Sequence, residues 1–155
     1  MTTSLAHPVI TRTSAPRTLP GRLVDLPEAE AWELAASLPV GRLAWSGSDG
    51  ITVLPVNIAV DVGARVVLVR TTPYTPWVRQ VVDHPVAVEV DLLDPVHHSG
   101  WSVLLRGRCT RQERPPTGTD LARLVSPTPW ATGPRLLELR VDVAQVSARR
   151  LDPAR

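Results

Sequence analysis

The stretch Arg70-Thr71-Thr72-Pro73-Tyr74-Thr75-Pro76-Trp77-Val78-Arg79 holds the residue types best suited to binding an anion. Thr75 fits a helix N-cap and Pro76 a first helical position, so the spacing predicts a short helix starting here. A helix start presents free N–H groups and a partial positive charge, which suits a phosphate. Pro76 has no N–H to give, leaving Trp77 and Val78 as donors, with Arg70 and Arg79 the nearest full charges. The same residues suit a capped turn that joins two strands and binds nothing, which is the plainer reading. Residue types alone leave both readings open.

Other chemistry is thinner. His97-His98 lies near Asp94, but adjacent strand residues point to opposite faces and no further cluster completes a metal-ligand set, so a solvated loop is expected. Cys109 sits between Arg108 and Thr110 in an apolar, alternating segment and is expected to be buried as a small apolar residue. The chain has no Gly-x-Ser-x-Gly elbow, no Walker loop and no Gly-x-Gly-x-x-Gly fingerprint, which disfavours serine hydrolases and the ordinary nucleotide-binding folds.

The elements that must position these residues are short. The 155 residues suffice for one domain with a real core, and 43% hydrophobic with 21% charged residues is ordinary for a soluble globular chain. Sixteen prolines cut the sequence into short pieces and argue against a helical bundle. No apolar run approaches the ~20 residues of a membrane span, so no membrane partner is expected. A single cysteine and the lack of an apolar leader point to a cytoplasmic location. All 17 basic residues are arginine, a pattern that fits composition bias, and the formal charge is only +2. Without an arginine-rich tract, nucleic acid is not expected as a partner.

Residues 1–25 read as a flexible N-terminal arm, 26–151 as the domain and 152–155 as a tail. From Pro27 to Leu38 a helix is predicted, with Pro27 at its first position and Ala31, Leu34, Ala35 and Leu38 on one face. The period then switches to two. Strands are expected at Val40–Ser46, Thr52–Val60, Ala64–Thr71, Pro85–Leu93, Trp101–Thr110 and Leu136–Val143, the last running into a polar tail. Pro55 inside the second implies an edge, a bulge or a break in the ladder. A short helix is predicted at Thr119–Val125. Six strands with mostly tight turns favour a closed or nearly closed antiparallel β-barrel, mainly β with short helices.

Five segments, in order, carry a resemblance: Val40-Gly41-Arg42-Leu43-Ala44, Leu54-Pro55-Val56-Asn57, Val69-Arg70-Thr71, Val88-Glu89-Val90-Asp91 and Gly100-Trp101-Ser102-Val103. With Gly107, Trp130 and Arg149-Arg150 they make residues 28–151 similar to the pyridoxamine 5'-phosphate oxidase-like, flavin-binding split-barrel family, in its actinobacterial form. The resemblance implies a six-stranded antiparallel split barrel that forms a homodimer, with FMN or a deazaflavin in a groove between subunits. It implies a flavin-dependent oxidoreductase acting on a small molecule. It places Pro55, Val56 and Asn57 along the isoalloxazine, Arg70 and Thr71 at the ribityl-phosphate end, Thr75 in the phosphate turn and Trp101 at the dimer groove.

The phosphate turn departs from the family pattern. Where relatives carry glycine, serine or threonine, then lysine, this chain has Tyr74, Thr75 and Pro76. A charge-assisted hydrogen bond contributes ~1.5–3 kcal/mol, so the missing lysine is worth about ten- to a hundredfold in affinity unless Arg79 or Arg70 replaces it. The alternative is a cofactor-free split barrel acting as a binding or regulatory protein.

Overall fold

The computed structural model describes residues 21–112, Pro127, Trp130 and residues 137–153. Seven strands and two short helices follow in the order β1 (Arg22–Asp25), α1 (Glu28–Ala36), β2 (Val40–Gly47), β3 (Gly50–Asp61), β4 (Val66–Thr71), α2 (Val78–Val81), β5 (Pro85–Asp94), β6 (Ser99–Gln112) and β7 (Leu137–Asp152). All pairings are antiparallel. Strands β7, β4, β3, β2, β5 and β6 neighbour one another in that order, and β6 returns to β7 to close a ring. The closed ring of six strands is the expected barrel. The expected helix at Thr119–Val125 lies outside the described residues.

Alternation builds the core. Leu54, Val56, Ile58 and Val60 of β3 turn inward, as do Leu43 and Trp45 of β2 and Val86, Val88 and Val90 of β5. Strand β4 is buried along most of its length. Val67 and Val69 enter the main core, while Val66 and Leu68 pack with Ala59 on the other face. Helix α1 covers the barrel with Ala31, Trp32 and Ala35, and Arg150 ties it to β7 through Glu30 at 2.9 Å. Pro27 is the N-cap of this helix, with ψ at 149°, so the helix starts one position later than predicted.

Two expectations at the chain's ends are corrected. Arg22–Asp25, within the expected arm, forms a strand that pairs with Arg149–Asp152. The last strand, expected to end at Val143, continues as β7 to Asp152. Inward residues of β7 are Leu137, Leu139, Val141 and Val143, then Val146 and Ala148, so the phase changes. A bulge causes this: Gly107 faces Val143 and Arg106 faces Gln145, leaving Ala144 unpaired. Strand β7 is thereby long enough to meet β6 on one side and both β4 and β1 on the other.

Among the described residues, no helix is long and apolar enough to cross a membrane. Cys109 is fully buried on β6, as expected. Burial pushes its thiol up to about 12, with the charge of Asp83 adding to the effect. Folding therefore favours the neutral thiol. The stability this contributes is present below the ordinary thiol pKa near 9.0 and is lost as pH rises toward 12. Native protein at pH 8 should resist alkylation by iodoacetamide, whereas guanidinium-unfolded protein should react fully. Rapid labelling of the native state would contradict this burial.

Candidate functional site

The site forms where two strands part. Strand β3 pairs with β4 only from Ile58 to Asp61, and Ile58–Val69 is the final pair on the way toward Pro55. Beyond it β3 stays on β2, with Pro55 opposite Arg42 and Asn57 opposite Val40. Strand β4 stays on β7, with Arg70 opposite Glu138 and Thr71 opposite Leu137. Pro55 lacks an N–H, so it suits a stretch of strand that has lost one neighbour. The sequence thus marks where the barrel splits.

Between the parted strands lies a cleft of about 460 Å³. Six of the eight residues expected in the site line it: Pro55, Val56, Asn57, Arg70, Thr71 and Thr75. Its apolar wall comes from Val40, Leu54, Trp77 and Trp130. Asn57 reaches across the cleft, its Oδ1 accepting a hydrogen bond from the Trp130 backbone N–H at 3.1 Å. Trp130 itself is 74% exposed. At the polar end, Arg70 Nη2 lies 3.5 Å from Glu138 Oε2, and Thr71 is the one buried polar side chain among the described residues.

The turn after Thr71 differs from the sequence expectation. Helix α2 is four residues long, from Val78 to Val81, with Trp77 rather than Thr75 at its N-cap. The Thr75 hydroxyl donates to the Thr72 carbonyl at 3.0 Å, and the Thr75 N–H turns to the same oxygen at 3.3 Å. The Val78 N–H, expected to await an anion, donates to the Thr75 carbonyl at 3.1 Å. Local side-chain and backbone bonds have outcompeted the earlier helix start. A phosphate here would be met by Arg70 and hydroxyls, with no helix terminus behind them.

The two remaining expected residues lie elsewhere. Arg79 is exposed on α2 and does not line the cleft. Trp101 lines a separate cleft with Leu92, Gly100, Arg150 and Leu151. Tyr74 is 92% exposed, whereas Trp77 packs on Trp45 with ring centroids 5.7 Å apart. Trp45 is fixed in turn by its Nε1–H bond to Gln80 Oε1 at 3.0 Å. Val40 and Leu54 enter the site only through strand pairing, although both fall in segments that carried the resemblance. His97, by contrast, is an exposed loop residue with Nδ1 2.6 Å from Asp94 Oδ2. That contact holds the Asp94 carboxyl below its ordinary pKa.

The family model for pyridoxamine 5'-phosphate oxidase matches residues 27–150. The chain belongs to this family. An uncharacterized protein of Mycobacterium tuberculosis is 33% identical over 108 residues, covering 68% of this chain and 71% of its own. Among solved structures, an FAD-binding protein of Mycobacterium smegmatis is 25% identical. The alignment covers 83% of this chain and 98% of that one, with a TM-score of 0.62. An FAD-binding protein of Mesorhizobium loti reaches a TM-score of 0.68 at 24% identity, covering 85% of this chain and 98% of its own, a likeness in fold. The ring of strands is the family's split barrel.

Proposed function

We propose that this chain is a flavin-binding split-barrel protein and uses the flavin to oxidise or reduce a small molecule. The observation that carries the reading is the cleft between β3 and β4. It combines an apolar wall with one amide, two threonine hydroxyls and a guanidinium. This donor set fits a planar ring system with an anionic tail, and its volume is within the range of cofactor sites. Pro55, Val56 and Asn57 would flank the ring, and Arg70, Thr71 and Thr75 would meet the ribityl phosphate. When bound, flavin supplies hydride or single-electron transfer, while the protein orients it and excludes water. FMN is the form proposed, with FAD and a deazaflavin as the variants to test.

We also propose that the working form is a homodimer, as in the family pattern. Ile51 and Val53 are exposed apolar residues at 83% and 53%. Ile51 shares an open, mainly apolar groove of about 600 Å³ with Ala44 and Ala87 on the outer face of the barrel. Light scattering should report twice the 16.9 kDa of one chain. A strict monomer would remove the intersubunit part of the reading.

One observation favours a second reading, a cofactor-free binding or regulatory protein. Pro76 stands at the lysine position, and Arg70 already faces Glu138. Titration of purified protein with FMN, FAD and a deazaflavin, followed by fluorescence quenching, separates the two. Saturable binding supports the flavoprotein. No saturation at high micromolar concentration of any of the three would leave the cofactor-free reading.

A further inference from the structure

A second cavity, of about 250 Å³, adjoins the cleft and shares Val40, Pro55 and Trp130 with it. Leu38, Pro39, Gly41, Arg42 and Asp91 are the other described residues that line it. Arg42 would make this a second anion site if its charge were available. It is not, because Nη1 bonds Glu89 Oε2 at 2.7 Å and also engages Asp91 Oδ1. One cation thus faces two carboxylates, and the formal sum over the three side chains is negative. The Asp91 side chain is 17% exposed, against 50% for Arg42, so the carboxylate that lines the cavity is the better shielded partner. An ionised carboxylate accepts through both oxygens, and Arg42 engages only Oδ1. Trp130 also lines the cavity, and an aromatic residue there favours a cation over an anion.

We infer that this compartment is the substrate subsite, and that it takes a planar group bearing a cationic or hydrogen-bond-donating nitrogen, such as an amidinium or amine, while rejecting carboxylates and phosphates. The two compartments then divide the work by charge. The anionic tail of the cofactor lies toward Arg70, and the substrate lies toward Asp91. The role as substrate subsite rests on the flavin reading; the charge preference of the cavity does not.

The test is calorimetric titration of the whole chain at pH 7, with and without saturating FMN, using benzamidinium, benzoate and the neutral benzyl alcohol as probes. Benzamidinium should bind at least about tenfold more tightly than benzoate, the scale of one charge-assisted hydrogen bond. Asp91→Asn should weaken benzamidinium about tenfold and leave benzyl alcohol unchanged. The inference is overturned if benzoate binds as tightly as benzamidinium, if benzamidinium does not bind, or if the folded variant keeps full benzamidinium affinity. Should Asp91→Asn fail to fold, the ranking of the three probes on the native protein still decides. If FMN fails to bind, only the assignment as substrate subsite falls, because the ranking is read on flavin-free protein as well.

Discussion

Arg70→Ala is expected to weaken FMN about ten- to a hundredfold while changing riboflavin, which lacks the phosphate, by less than about threefold. The turn after Thr71 has lost the other groups that could hold a phosphate. Pro76 removes the lysine, the Val78 N–H is spent on Thr75, and Arg79 lies outside the cleft. Arg70 is the one cation among the described residues that line the cleft. It faces Glu138 at 3.5 Å, an ion pair long enough to open toward a phosphate that competes for the same guanidinium. Arg70→Lys should recover only part of the affinity, because an ammonium cannot make the planar two-point contact. Arg79→Ala should cost far less than Arg70→Ala. Parallel fluorescence titrations check this on variants shown to keep the native melting temperature. Equal losses for FMN and riboflavin would mean that Arg70 shapes the cleft without holding the phosphate.

The second large effect concerns the barrel seam. Gly107→Ala should destabilise the protein by about 3 kcal/mol or more, a large share of the ~5–15 kcal/mol typical of a domain. A Cβ at position 107 would overlap the Asp142 carbonyl oxygen and lie 2.8 Å from its carbon and 3.0 Å from the Val143 Cα. These are backbone atoms of β7, so no side-chain rotation relieves the clash. The position lies at the bulge itself, where Gly107 pairs with Val143. Gly63→Ala is the control, since its added Cβ would meet only Asp61 Oδ1, at 3.5 Å. Urea denaturation of both variants measures the difference, and a Gly107→Ala protein as stable as the control would refute the seam argument.

How much of this was legible in the sequence depended on whether a residue's role was local. Period-two alternation marked β2, β3, β5 and β6 because each presents one face to the core, a continuous apolar run between turns marked β4, and Pro55 marked the parting of β3 and β4 by its missing donor. The second half of β7 was not legible. The bulge at Ala144 shifts the inward set from odd to even positions, so the alternation looks broken where the strand continues. Four residues of β1 were too few to show a period, and they are held by β7 from the far end of the sequence. In the candidate site, Arg70, Thr71 and Thr75 stood out by chemistry. The start of α2 was misplaced because Thr72 and Thr75 satisfy the turn themselves. Trp77 and Trp130 line the same cleft from sequence positions 53 residues apart, a convergence no local pattern encodes.

Strand β7 is the neighbour of β6, β4 and β1 alike. During synthesis, then, the ring cannot shut until the segment from Leu137 to Asp152 has left the ribosome. Until that moment β4 and β6 each present an unpaired edge, and Val103 and Leu105 await the strand that completes their enclosure. Such late, long-range closure slows folding and prolongs the exposure of sticky surface. The chain should therefore depend on chaperones most heavily until β7 docks, and it should aggregate most in that interval.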